Sequence, residues 1–272
     1  MIKNKIIYIF IISLWACSQS DDATLNTQKP VVEAYLHPKY APMVKIKIES
    51  AFGENSAETF NDLNGLTVNI NYNGTTITLS NTSNGTYTVY DNTIIMPNTT
   101  YTLSFKYNET LVSTYTSVPE KPKNFAQSVT EISMPTINFG SGTPPSGGGS
   151  LPTFPEPVKL TWNNSEGKYY LVVVQNIESN PSKINENTDR PSPTFRNEPT
   201  TLSQHQINAQ TFSYYGKHII ILFVLNPEYA ALYQSSSNSS LNLNNPQTNI
   251  ENGLGIFTGF NSDTLMLNVT KQ

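Results

Sequence analysis

Residues 66–79, LTVNINYNGTTITL, alternate apolar and polar side chains on both sides of the dipeptide Asn73-Gly74. A period of two is typical of a β-strand with one face in a core and the other in water. Asn-Gly between two such runs is the strongest short-range signal for a hairpin. The stretch therefore predicts an antiparallel hairpin and favours an all-β fold.

The same pattern extends outward from this hairpin in both directions. Other short runs are rich in Thr, Val, Ile and aromatic residues, which favour strands, and turn signals separate them. These runs are residues 30–36, 43–49, 86–90, 101–107 and 111–116. With the hairpin they make about seven strands, which predicts an immunoglobulin-like N-terminal β-sandwich over residues 30–118. The longer polar connection 51–64 is expected at one end of this sandwich.

A proline-bracketed linker, residues 119–122, precedes a second predicted domain, residues 123–272. Its strand-like runs are residues 125–133, 157–162, 168–175, 218–225 and 264–269. The strand that ends at Trp162 and the Tyr-Tyr strand after it resemble a fibronectin type III module, in which the tryptophan packs between the sheets. The resemblance implies a second β-sandwich.

Two long polar loops and one helix are predicted in this second domain. Loop 135–156 is rich in proline, glycine and serine, and loop 178–204 is polar and punctuated by proline. Loops of this length are functional or disordered in most compact domains. The segment 227–233 starts with proline and places Tyr229, Leu232 and Tyr233 on one helical face, which predicts a short helix near the C-terminus.

The N-terminal residues 1–16 are typical of an export signal. Lys3 and Lys5 precede the apolar run 6–16, which is shorter than the roughly 20 residues of a membrane-spanning helix. The run ends in Leu-Trp-Ala before Cys17 and resembles a bacterial lipobox, whose cysteine receives diacylglycerol. We therefore predict lipidation of Cys17, with residues 17–29 as a flexible tether. The alternative is an ordinary secreted protein with a spare cysteine.

The residues after Cys17 carry a second signal. Ser18, Gln19, Ser20, Asp21 and Asp22 resemble the short acidic export signal of Bacteroidota surface lipoproteins. The resemblance implies an outer-membrane location with the protein facing the cell surface, anchored through its lipid. The alternative is a solvated acidic linker without an export role.

Composition and motifs restrict the chemistry. The net charge is −4, and a mildly acidic chain argues against nucleic-acid binding, which needs basic patches. His37, His205 and His218 do not have metal-ligand spacing, and the sequence contains no nucleophile elbow, phosphate loop or calcium loop. We therefore predict a non-enzyme without cofactor or metal. A hydrolase with an unrecognised site, such as paired carboxylates, stays open.

Several blocks together resemble one known family. The lipobox, residues 31–36 (VVEAYL), residues 227–233 (PEYAALY) and residues 248–259 (TNIENGLGIFTG) are similar to a family of Bacteroidota outer-membrane lipoproteins that carries a domain of unknown function, DUF4249. The resemblance covers nearly the whole chain after Cys17. It implies a surface lipoprotein without established catalysis, whose relatives often accompany TonB-dependent receptors.

The glycine-rich block near the C-terminus has two interpretations. Its glycines permit positive φ or a close backbone approach, and its apolar residues can enter a core. One interpretation is a structural loop that closes the second sandwich. The other is a contact surface for a partner barrel, formed by Asn249, Ile250, Asn252, Gly253, Gly255, Phe257 and Gly259.

Three functions follow as hypotheses. The first is a non-catalytic binding or accessory subunit of a TonB-dependent outer-membrane receptor, with contacts in loops 51–64, 135–156 and 178–204. The second is a structural or adhesion spacer at the cell surface, and the third is the hydrolase. In addition, Asp263-Thr264-Leu265 resembles a Bacteroidota O-glycosylation signal, which makes Thr264 a candidate for modification.

Overall fold

The computed structural model describes residues 28–49, 63–136, 153–236 and 247–272. These residues form fifteen strands, one α-helix and one 3₁₀ turn, so the prediction of an all-β protein with a short helix near the C-terminus is confirmed. Cys17, the predicted export residues 18–22 and most of loops 51–64 and 135–156 lie outside the described residues.

The N-terminal sandwich contains seven strands that follow one another in sequence. They are β1 (Pro30–Leu36), β2 (Met43–Ile48), β3 (Val68–Tyr72), β4 (Thr75–Ser83), β5 (Thr86–Thr88), β6 (Thr99–Tyr107) and β7 (Thr110–Val118). Their hydrogen-bonded order is β1-β2-β5-β4-β3-β6-β7. In the hairpin, Tyr72 pairs with Thr75, and Asn73 and Gly74 both have positive φ, as a type I′ turn requires. The predicted hairpin is confirmed.

The second sandwich has a three-stranded and a five-stranded face. Its elements are β8 (Lys123–Gln127), β9 (Glu131–Met134), β10 (Val158–Asn163), β11 (Tyr169–Asn176), β12 (Thr194–Arg196), β13 (Gln204–Ile207), a 3₁₀ turn (Ala209–Thr211), β14 (Gly216–Leu225), α1 (Pro227–Ser236) and β15 (Leu254–Lys271). One face is β13-β10-β8 and the other is β12-β11-β14-β15, with β9 parallel to β15. Trp162 is buried, and its ring lies 5.4 Å from that of Tyr170. This is the predicted fibronectin type III-like arrangement.

Strand β15 belongs to both sandwiches. Residues 254–259 pair in parallel with β1, and residues 260–269 pair antiparallel with β14. The glycine-rich block therefore completes the first sandwich. The interpretation that this block closes the second sandwich is corrected. The predicted end of the first domain at residue 118 is corrected as well, because a later segment belongs to the same sandwich. The physical reason is a close approach: a Cβ on Gly255 would lie 2.0 Å from the carbonyl oxygen of Val32.

Candidate functional site at the domain junction

The junction is built around the middle of β15, where the strand passes from one sandwich to the other. On one face of the strand, Asn261 donates to the carbonyl of Pro119 at 2.9 Å, and Asp263 pairs with Lys121 at 3.4 Å. The linker between the domains therefore covers this face. On the other face, Thr258 donates to Glu228 of α1 at 2.9 Å. The helix covers that face.

A polar network joins α1, β7 and β15. The hydroxyl of Thr116 donates to the carboxylate of Glu228 at 3.0 Å, and it accepts the backbone N–H of Gly259 and the amide of Asn226, each at 3.0 Å. Thr258 donates to the same carboxylate oxygen. Thr116 and Thr258 are themselves buried, so these hydrogen bonds are costly to break, because a lost partner leaves a desolvated polar group. The network therefore holds the two sandwiches and the helix in one arrangement.

An aromatic surface, here called the junction strip, crosses this region. Its members form a chain of ring contacts with centroid separations of 5.2–6.4 Å. The strip consists of Tyr40, His37, Phe260, Tyr35, Tyr229 and Tyr233. The guanidinium of Arg196 lies 5.5 Å from the ring centre of Tyr233 at one end. Tyr40 is 66% exposed and Tyr35 is 37% exposed, so the strip is accessible to a partner.

The pKa values of two strip tyrosines, Tyr35 and Tyr229, are raised, which keeps both side chains neutral at physiological pH. Burial, followed by the neighbouring Tyr233, raises the pKa of Tyr229 to about 12. Burial, followed by the charge of Glu33, also raises the pKa of Tyr35. Neutral tyrosines offer apolar ring faces together with one hydroxyl, which suits contacts with another protein.

His37 of the strip forms a buried pair with Ser262 of β15. The Nδ1 atom of His37 accepts the backbone N–H of Lys39 at 3.2 Å, so Nε2 carries the proton and donates to the Ser262 hydroxyl at 3.0 Å. A hydrolase requires the opposite arrangement, in which Nε2 takes the serine proton and Nδ1–H is held by a carboxylate. The pair therefore orients the loop after β1 rather than activating Ser262.

We expect His37 to make stability depend on pH. Burial, followed by the charge of Lys39, lowers its pKa from 6.5 to about 4 in the folded state. The unfolded chain therefore binds a proton more readily, and stability that is complete above the unfolded pKa is lost as the pH falls towards the folded value. His37→Asn keeps an acceptor for the backbone N–H of Lys39. The free energy of unfolding of this variant should fall less at acidic pH than that of the wild type, by roughly 1–2 kcal/mol.

Urea unfolding of both proteins at neutral pH and at about pH 4.5 measures this difference. Burial also lowers the pKa values of His205 and His218, so only the difference between variant and wild type reports on His37. An acid loss that is equal in the two proteins would contradict the prediction.

An open cleft of about 840 Å³, here called the junction cleft, lies on the linker side of β15. Its lining includes Lys39, Lys121, Pro122, Phe125, Asn261 and Asp263. Lys123 forms an ion pair with Glu120 in the same cleft, and this contact lowers the pKa of Glu120 and raises that of Lys123. Clefts of this size at domain junctions are common ligand sites.

The structure separates the predicted partner-contact residues into two groups. Ile250 and Phe257 are buried in the first core, Gly259 is buried against β7, and the side chain of Asn249 binds both backbone groups of Phe257. Ile250, Phe257 and Gly259 are therefore removed from the surface that a partner could touch, and Asn249 is partly buried. Gly255 packs against Val32, whereas Asn252 is exposed and lines, with Gly253, a groove of about 490 Å³.

The other predicted site residues lie apart from the junction. Thr264 is exposed on β15 and stays a candidate for O-glycosylation. His218 is buried, with Nδ1–H donated to the Gly216 carbonyl at 3.0 Å and Nε2 accepting from Asn176 at 3.3 Å, whereas His205 lies on β13 in the opposite sheet. Among the described residues, His, Cys, Asp and Glu form no group of three that could hold a metal ion.

Loop 178–204 is described by the structure and is tied to its sandwich. It contains β12, which pairs with β11, and the hydroxyl of Tyr214 donates to the carbonyl of Pro191 at 3.0 Å. Within the four described ranges, none of the helical segments has the length and apolar character needed to cross a bilayer.

Comparisons with known proteins add a family but no activity. The chain is similar to a crystal structure of the FN1–FN3 domains of chicken CNTN1, with 9% identity and a TM-score of 0.28 over 89% of this chain and 64% of that chain. None of the curated proteins matches it. The family model described as a domain of unknown function (DUF4249) matches residues 19–265, nearly the whole chain. The chain therefore belongs to the DUF4249 family.

Proposed function

We propose that this protein is a lipid-anchored, surface-facing outer-membrane lipoprotein that acts as a non-catalytic accessory subunit of a TonB-dependent receptor. The observation that carries the proposal is the junction strip, whose Tyr40 and Tyr35 are exposed and whose Tyr229 and Tyr233 are partly buried, on a junction held by hydrogen bonds. Tyrosine is enriched in protein interfaces and in their energetic hot spots. The strip is therefore the surface on which we place the partner barrel.

The anchor supports a partner in the membrane. Cys17 is the predicted lipidation site, and Gln28 is the first described residue. A fully extended chain spans about 3.5 Å per residue, so the eleven steps between them cover about 40 Å at most. Two or more acyl chains give stable anchoring. The first sandwich would therefore stay close to the outer membrane, within reach of a barrel.

We expect Tyr40→Ser to weaken capture of the barrel about tenfold or more, since truncating a hot-spot residue typically costs about 2 kcal/mol or more. Tagged wild-type protein and the variant are used in pull-downs from solubilised outer membranes, with mass spectrometry of the recovered proteins. Tyr115→Ser is the matched control, because Tyr115 is 73% exposed and lies on the opposite face of β7 from Thr116. Intact mass and a Cys17→Ser variant report on lipidation separately.

We expect the wild-type protein to recover a TonB-dependent barrel in stoichiometric amount. Tyr115→Ser should still recover this barrel, and Tyr40→Ser should lose it. Recovery of no barrel by the wild-type protein would contradict the accessory role. Equal recovery by both variants would place the contact away from the strip.

The spacer remains the second candidate, and β15 favours it. An eighteen-residue strand that rises about 3.3 Å per residue spans about 60 Å and enters both sandwiches. A shared strand of this kind keeps two domains in line and suits a protein that holds something away from a surface. Lipidation of Cys17 without any barrel partner would favour this function.

A further inference from the structure

We propose that the junction cleft binds a neutral carbohydrate, with the ring of Phe125 as its apolar platform. The cleft volume of about 840 Å³ lies in the range that holds small ligands. It adjoins the strip, because Pro38 and Lys39 line it and precede Tyr40 in the chain. Its lining residues nevertheless differ from the six aromatic residues of the strip, so the two surfaces can be tested with separate variants.

The walls of the cleft are apolar in a way that suits sugar rings. Phe125 is half-buried, and Pro38, Pro97 and Pro122 also line the cleft. A pyranose ring presents C–H groups on its faces and hydroxyl groups around its edge. Aromatic and proline surfaces can therefore cover the ring faces, while polar groups at the rim meet the hydroxyls.

The rim supplies donors and acceptors close together. Lys121 lies 3.4 Å from Asp263, Lys123 is paired with Glu120, and Asn98 donates to Glu120 at 2.8 Å. Adjacent sugar hydroxyls each donate and accept a hydrogen bond, so they match paired ammonium and carboxylate groups.

The cleft is lined by three lysines (Lys39, Lys121 and Lys123) and two carboxylates (Glu120 and Asp263), so both signs of charge are present and the net charge is small. Each carboxylate of the cleft has a lysine partner. About a third or more of the surface of each paired side chain is exposed to solvent. A bound anion would meet Glu120 and Asp263 as well as the lysines. A neutral polyol gains hydrogen bonds from both signs of charge without this repulsion.

The floor of the cleft is already in place before a ligand binds. Asn261 is held by the carbonyl of Pro119, and Ser262 is held by His37. These contacts are buried, and β15 continues into both cores. Because these residues are already ordered, binding does not cost the conformational entropy of ordering them, and affinity is not reduced for that reason.

The test uses the purified full chain and a panel of neutral oligosaccharides of two to four hexose units, with α- and β-linked glucose, mannose and galactose. Binding is followed by isothermal titration calorimetry and by chemical-shift changes of the Phe125 ring protons. Phe125→Leu should weaken binding about tenfold or more, while its unfolding temperature should fall by about as much as that of Phe154→Leu. Phe154→Leu is the matched control, because Phe154 packs on the same core and lies outside the cleft.

Affinity for a neutral sugar should change less than about twofold between low and high salt, since no net charge is screened. A hexuronic acid oligosaccharide tests the anionic alternative. Three results would each overturn the proposal: no binding across the neutral panel, binding of the acidic sugar alone with strong salt dependence, or equal loss of affinity in the two phenylalanine variants. None of these measurements uses the partner receptor, so they are independent of the accessory role.

Discussion

A fragment of residues 28–122 will remain unfolded, although it contains all seven consecutive strands of the first sandwich. The missing element is the first half of β15, which pairs with β1 over residues 254–259. Phe257 is fully buried in the core of the first sandwich, and Ile250 is 5% exposed in the same core. Loss of a buried phenylalanine alone costs about 3–5 kcal/mol, a large part of the 5–15 kcal/mol that stabilises a typical domain.

The measurement is the dispersion of amide signals in a two-dimensional NMR spectrum of the fragment. A peptide of residues 247–261 added in trans should restore a dispersed spectrum, because it supplies the missing strand. The same peptide with Phe257→Ala is the matched control and should fail. A folded fragment without any peptide would contradict the prediction and would make the first sandwich independent of β15.

The second large effect is expected from Gly255→Ala, which should destabilise the protein by about 3 kcal/mol or more. Gly255 has a φ of 100°, and an added Cβ would lie 2.0 Å from the carbonyl oxygen and 2.9 Å from the backbone nitrogen of Val32. The backbone of β1 cannot move away without breaking its pairing with β2. The cost therefore combines conformational strain with a steric clash between two main chains.

Gly74→Ala separates these two contributions. Gly74 has a φ of 77°, but an added Cβ would meet no atom within 4 Å, so this variant should lose only about 1 kcal/mol. Urea unfolding of the two variants and the wild type gives both values. If the two variants lose the same free energy of unfolding, the close approach of β1 to Gly255 does not require the absence of a side chain, and the prediction is wrong.

Most strands could be predicted because their signals are local. Alternation in residues 43–49 and 66–79 specifies which side chains face a core, and Asn73-Gly74 specifies a turn whose φ angles few other residues adopt. The helix at Pro227 follows the same rule with a different period. The confirmed elements are those in which neighbours along the chain decide the conformation.

The candidate site could not be predicted in this way. His37 binds Ser262 across 225 positions of the chain, and the strip adds Tyr229 from a helix that neither residue adjoins in sequence. Tyr35, Tyr40 and Phe125 carry no local motif, because a lone aromatic residue in a strand is equally compatible with a core position. The glycine-rich block is predicted to close a sandwich or to contact a partner, but its pattern does not specify that it pairs with β1.

Local patterning of apolar, polar and turn residues was sufficient to specify two sandwiches, their hairpin and a single helix, because a strand or turn depends on side chains a few positions apart. The pairing of β15 with β1 could not follow from such patterning, since any β-branched strand offers the same hydrogen-bonding edge. That pairing depends on the close approach of Gly255 to Val32 and on the burial of Phe257, which exist only once distant segments meet. The junction strip and the junction cleft arise from the same meeting of segments.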